Sequence, residues 1–200
     1  MLASISPLGE RARSSRWGVT VAAYLTGSVL GGAAVGLLAA ALGSLLPQAW
    51  RGSPAAALLV AVLLLTGLLL DRRAAGLHLP SWRRQVDERW LGRYRGWVYG
   101  AGFGVQLGLG VVTIVPSATV YATVLLCALS GSPAVGLATG ALFGLARALP
   151  VLALANATDR AALHHWFRRL ERWAQPADRL AQGALATAAA ALDAAAVAGS

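Results

Sequence analysis

Charge along this chain is confined to a few short stretches. Between Arg16 and Arg51 lie 34 uncharged residues, between Arg51 and Asp71 another 19, and between Arg95 and Arg147 a further 51. A helix needs about 20 apolar residues to cross the hydrocarbon of a bilayer, so these gaps hold one, one and two spans. The pattern predicts spans near Tyr24 to Leu46, Pro54 to Leu70, Trp97 to Val120 and Pro133 to Leu154. The predicted fold is an all-α, multi-pass transmembrane helical bundle with at least four spans. The sixteen mostly polar residues before the first gap, and its length, argue for a retained span over a cleaved signal peptide, whose apolar core runs to about 15 residues.

Composition agrees with that reading. The chain is 57% hydrophobic and 12% charged, with a mean hydropathy of +0.61, whereas soluble domains are about 25% charged. All 17 basic residues are Arg. Three precede the first span, seven lie between the second and third (Arg72, Arg73, Arg83, Arg84, Arg89, Arg93, Arg95), and six stand at or beyond the end of the fourth. Short Arg-rich loops stay cytoplasmic, so a protein of the cell membrane with a cytoplasmic N-terminus is expected. The net charge of +9 follows from this placement, and nucleic acid is not an expected partner. The absence of Lys beside abundant Ala, Arg and Gly points to a GC-rich bacterial genome.

"GSPAA" at Gly52 to Ala56 recurs as "GSPAV" at Gly131 to Val135, and "RRQVDERW" from Arg83 resembles "RRLERW" from Arg168. Tyr24 and Gly27 have counterparts in Tyr99 and Gly102. These matches predict two parallel repeats within one integral membrane domain, residues 17–95 and 96–175, each of two spans and a basic segment, followed by an Ala-rich helix at 177–200. Both basic segments have the period of amphipathic helices lying on the membrane surface. Leu163, Trp166, Phe167, Leu170 and Trp173 share one side, as do Trp82, Val86, Trp90, Tyr94 and Trp97. They anchor the bundle or dock a cytoplasmic partner. The Ala-rich tail, whose longest uncharged run is Leu180 to Leu192, is expected to be peripheral, with a fifth span as the alternative.

Small residues mark the expected helix contacts. Gly100, Gly104 and Gly108 are spaced by four, as are Gly136, Gly140 and Gly144, and the first span carries Gly27 with Gly31 and Gly32 with Gly36. Inside lipid, close backbone packing drives helix association, and glycine permits it.

Pro116 interrupts a run that would otherwise be too long for one crossing. Gln106, Gly110, Thr113, Ser117 and Tyr121 would form one polar or small face past that interruption. The carrier reading treats this broken helix as a substrate pathway, with Gln106, Thr113, Pro116, Ser117, Tyr121 and Arg147 as its candidates. The plainer reading is a kinked helix whose hydroxyls bond their own backbone. Arg147, in "FGLARALP", either serves a site inside the membrane or snorkels to the cytoplasmic headgroups.

No metal, cofactor or catalytic constellation is expected. His78, His164 and His165 lack ligand spacing to any Cys or carboxylate, and no nucleophile, base and acid set identifies an enzyme. Cys127 is the one cysteine, so no disulfide forms within the chain. "NAT" at Asn156 to Thr158 reads as a helix cap.

"GFGVQLGLGVVTIVPS", Gly102 to Ser117, followed by Tyr121, resembles the glycine-rich, proline-broken helix of CcdA/DsbD-type membrane electron carriers. That family has a cysteine after the proline; here Ser117 stands there, and no cysteine pair exists elsewhere. The resemblance implies a broken-helix scaffold without thiol redox chemistry. Two functions follow as expectations: a small-solute or ion carrier or channel subunit, or, as the alternative, a non-transporting scaffold or assembly subunit of a membrane complex. Either implies a homo-oligomer or another membrane subunit as partner.

Overall fold

The computed structural model describes residues 5–12, 14–71, 94–110, 118–155 and 159–198, all helix and connections. A short α1 (Pro7–Ala12) leads to the long α2 (Trp17–Ser44). The one-turn α3 (Gln48–Arg51) turns the chain into α4 (Pro54–Asp71). Then come α5 (Gly96–Leu109), α6 (Thr119–Ser130), α7 (Pro133–Ala148) extended by a 3-10 turn (Leu149–Leu154), and α8 (Arg160–Ala198). Both GSP sequences place proline at the first turn of a helix, α4 and α7, where its missing N–H removes no helical bond.

The central element is α2. Its 28 residues give about 42 Å at 1.5 Å each, close to a bilayer with its headgroup regions at roughly 40–45 Å. Exposed Tyr94 and Trp97 precede and open α5 at one end, beside Trp17, and exposed Trp50 marks the other. Tryptophan and tyrosine favour these interfacial depths.

The glycine spacings translate directly into helix direction. A Cβ on Gly100 would meet the Thr20 carbonyl oxygen at 2.5 Å, one on Gly104 would strike that of Tyr24, and one on Gly108 that of Ser28. Each step of four forward on α5 therefore meets a step of four forward on α2, and the two run parallel. Gly136 faces Gly36, Gly140 faces Gly32, and Gly144 faces Ser28, so α7 runs antiparallel. Gly27 and Gly31 complete the α5 seam, a Cβ on Gly31 lying 2.6 Å from the Val105 carbonyl oxygen. Ser28, fully buried where the two seams meet, donates its hydroxyl to the Gly144 carbonyl at 2.7 Å. Beyond the end of α5, α6 continues along α2, with Gly43 against Ala128. The predicted third span is thus two helices, α5 and α6, laid end to end beside one unbroken neighbour.

Three expectations need correction. By length and composition only Trp17–Ser44 and Pro133–Leu154 suffice to cross a membrane among the described residues; Pro54–Leu70 and Thr119–Ser130 are shorter apolar helices. Four complete spans are therefore not established, because the third is divided and the second is short. Second, the basic segment and the Ala-rich tail are one helix, α8, uninterrupted at Pro176. Third, the tail is not peripheral: Leu185 and Ala189 are buried against Val60, Ala61 and Leu64 of α4 and Ala118 and Ala122 at α6. Alanine has the highest helix propensity and a small side chain, so the tail packs lengthwise where an amphipathic pattern is not needed. The first basic segment, Arg72 to Arg93, and with it half the evidence for a repeat, lies outside the described residues.

At the Trp50 end a single guanidinium holds two parallel helix ends. Arg51 donates from Nη1 to the Ser130 carbonyl at 3.0 Å and from Nε to the Leu46 carbonyl at 3.2 Å. Both oxygens lie at helix C-termini, which lack intrahelical donors and carry the negative end of the dipole. Gly131, with φ +54, turns the chain there, and a Cβ on it would overlap the Arg51 guanidinium.

Two stability measurements follow for the detergent-solubilised chain. Gly104→Ala is expected to destabilise it by about 1–3 kcal/mol through overpacking, whereas Gly183→Ala, which has nothing within 4 Å, should be neutral or gain up to about 1 kcal/mol. Arg51→Met should cost about 1–3 kcal/mol by leaving two helix-end carbonyls without a donor. Thermal unfolding followed by size-exclusion chromatography reads all three.

Candidate functional site

Buried polar groups on α1, α2, α5 and α7 occupy the interior between the Trp17 end and the middle of the bundle. The outermost is Glu10. Ser6 precedes Pro7, accepts the Gly9 N–H at 3.2 Å and starts α1 in the manner of an N-cap before a first-turn proline. The helix then inserts Glu10, with no exposed surface. Thr20 donates its hydroxyl to Glu10 Oε2 at 2.7 Å, and the Tyr99 hydroxyl donates to Oε1. Gly96 leaves space for this contact: a Cβ there would sit 2.5 Å from the Thr20 hydroxyl and 3.2 Å from the Glu10 carboxyl. Ile5, fully buried, packs with Val21, Tyr24, Tyr99, Phe103, Ala148 and Val151. Trp17 Nε1 donates to the Ile5 carbonyl at 2.8 Å. The N-terminal segment thus closes this end of the bundle.

Further in lies Arg147. In a helix the Cα–Cβ bond leans toward the N-terminus, and α7 begins near the opposite end of the bundle, so this side chain leaves its backbone heading inward. The guanidinium carbon sits 5.6 Å from the ring centroid of Phe143, one turn back along α7. Its Nη1 is buried and has no hydrogen-bond partner among the described residues.

Gly110 faces the same nitrogen. It ends α5 with φ +67, a left-handed conformation natural to glycine, and a Cβ on it would lie 2.9 Å from Arg147 Nη1. Gly108 and Gly144 both oppose Ser28, which is within a turn of the middle of α2. The guanidinium therefore lies near mid-depth, directed away from the nearer interface. The helix stops at Gly110, before Pro116, for the physical reason that residue 110 has left the right-handed region.

The sequence candidates divide accordingly. Thr113, Pro116 and Ser117 lie outside the described residues. Gln106 is half-buried on α5. Tyr121 lines a largely apolar cleft of ≈ 340 Å³ with Thr66, Gly67, Ala118 and Leu185, and Arg147 is not part of that wall. The helix α5 ends at Gly110, and Thr113 and Ser117 of the face expected to run from Gln106 to Tyr121 lie outside the described residues. Between α2, α5, α6 and α7 the seam leaves a crevice of ≈ 10 Å³, bordered by Gly108, Thr123, Cys127 and Phe143, about the room of one water. Cys127 is buried there. No cluster of three metal-ligating side chains occurs among the described residues. Glu10 escaped the sequence reading because it lies in a polar stretch outside any span; Ser6-Pro7 beside Ile5 was its available signal.

Sequence comparison adds a family to this bundle. The transmembrane region of cytochrome c biogenesis proteins matches residues 2–190. The chain belongs to this family. The resemblance of Gly102 to Ser117 to CcdA/DsbD-type carriers is thereby shown, without the paired cysteines of those carriers. Two relatives are methylamine utilization proteins MauF. That of Paracoccus denitrificans is 34% identical over 179 residues, covering 83% of this chain and 61% of its own length. That of Paracoccus versutus is 30% identical over 148 residues, covering 74% and 54%. The chain thus spans between about half and three fifths of the relatives it matches. No solved structure matches. The family establishes a membrane protein and gives no support to transport.

The Glu10 contacts make the end closure testable. Glu10→Ala removes the acceptor of two buried hydroxyls, a loss of about 1–3 kcal/mol each, and should speed tryptic cleavage after Arg11 at least about tenfold. Mass spectrometry of the released N-terminal peptide measures the rate.

Proposed function

We propose that this protein is an assembly component of the cell membrane, a helical scaffold serving the biogenesis of exported redox proteins and not a solute carrier. The observation that carries the reading is the family match over residues 2–190, joined by relatives whose names place them in methylamine utilization. The single cysteine defines the role further. Cys127 is buried in the glycine seam, and one thiol cannot form the dithiol and disulfide couple that a two-electron relay within one chain requires. Cys127 fills space here as a small apolar residue, and the scaffold acts by holding a partner at the membrane.

The carrier reading rested on the repeat, the broken third span, the polar face past Pro116 and Arg147; the family match gives it no support. Inclusion of the N-terminus on the cytoplasmic side, from the arginine placement, belongs to the same proposal.

The test is genetic and biochemical together. In a host strain that lacks the gene, the yield of a mature exported c-type cytochrome or amine-oxidising enzyme should fall, and a Cys127→Ser copy should restore it fully. Unchanged yields of both proteins in the deletion strain would contradict the assembly role, and failure of Cys127→Ser to restore them despite normal membrane levels would contradict the non-redox scaffold.

A further inference from the structure

We infer that Arg147, with the Phe143 ring beside it at the Gly110 break, forms a mid-membrane binding site for a small oxyanion, a carboxylate group above all.

A guanidinium inside a bilayer costs at least about 2.5 kcal/mol by insertion scales and more where it is unpaired. Such a group is retained at depth when it pairs or binds. Arg147 could reduce the cost by turning to the nearer interface, yet its side chain runs back over Phe143 toward the interior. The described residues provide no carboxyl for it: Glu10 is engaged by Thr20 and Tyr99, and α2, α5, α6 and α7 carry no acidic residue at all. Nη1 stays buried and without an acceptor.

The surroundings select the ligand class. Phe143 lies beside the guanidinium, its ring centroid 5.6 Å from the guanidinium carbon. Gly110 presents no side chain to Nη1, and a Cβ there would take the space at 2.9 Å. A planar donor fork beside an apolar ring matches a carboxylate, which accepts two parallel bonds, better than it matches a spherical halide. One guanidinium fork pairs with one carboxylate, so one oxyanion per chain is expected. The inference stands on the Arg147 geometry alone, and its failure would leave the assembly role untouched.

Phenylglyoxal modification of the full-length protein in lipid nanodiscs tests it without any substitution. Peptide mass spectrometry follows Arg147, with Arg51 as the internal reference because its Nη1 and Nε already bind carbonyls. Formate or acetate, added at constant ionic strength in place of chloride, is expected to slow modification of Arg147 saturably, by about tenfold at nine-tenths occupancy, and to leave Arg51 unchanged. Protection by phosphate alone would assign the site to tetrahedral oxyanions, within the same proposal. An Arg147 that reacts equally fast in every salt, or that never reacts, would overturn it, the latter because the chain itself then holds the nitrogen. In a second measurement, the saturable rise in thermal midpoint that formate gives the wild type should vanish in Arg147→Met; persistence of that rise would also overturn the site.

Discussion

Everything in this bundle depends on backbones meeting without side chains between them. At five positions along α2 the neighbouring residue is a glycine, six glycines in all, whose Cβ, if present, would run into an α2 backbone atom. In lipid no water is released when apolar helices associate, so dispersion contacts and weak polar contacts between closely spaced backbones take over. That constraint orders the rest. It fixes α5 parallel and α7 antiparallel, places Ser28 at their junction, and leaves a crevice of only ≈ 10 Å³ beside Cys127. It also makes α2 the element from which depth is measured, since Trp17 and Ser44 bound about the thickness of a bilayer.

Among the described residues, the buried and half-buried charges sit where the seam ends or is interrupted, while Ser28 bonds across its middle. Arg51 closes two helix C-termini at one end, and Glu10 with Tyr99 and Thr20 closes the other. Arg147 is different. It lies where α5 stops at Gly110, and it is not used to finish a helix. A bundle that needed only packing would carry an alanine or leucine there, as its neighbours Ala146 and Ala148 illustrate. The anion-site proposal rests on this contrast between hydrogen-bonded end charges and a buried Arg147 nitrogen with no acceptor among the described residues.

Much of this was legible in the sequence, and the residues show why. Long uncharged gaps and glycine at four-residue spacing are local signals, so the membrane class, the packing stripes and the helix starts at Pro54 and Pro133 could be read directly. The broken third helix was legible as a break but not in its position, because Pro116 is conspicuous while Gly110 differs from nearby helical glycines only in its backbone angle. Glu10 was illegible because its burial comes from α1 folding onto α2 and α5, a tertiary event with no hydrophobic period. The alanine tail was misjudged for a related reason: its partner α4 is 100 and more residues away, and alanine looks equally suited to solvent and to a helix interface. Transport was expected from a broken helix, a polar stripe and Arg147, none of which names a function; it is the family match over residues 2–190 that favours the scaffold.

Relative helix register tests the account most directly. In a Cys127→Ser background, spin labels at exposed Leu30 and Leu37 on α2 and at Val135 and Leu142 on α7 report four distances by pulsed electron resonance. With Gly32 against Gly140 and Gly36 against Gly136, Leu30 is level with Leu142 and Leu37 with Val135. Both level pairs should be shorter than the crossed pairs Leu30 with Val135 and Leu37 with Leu142, which are displaced axially by about 10 Å. Crossed pairs as short as the level ones, or shorter, would contradict the glycine-seamed arrangement on which every other conclusion stands.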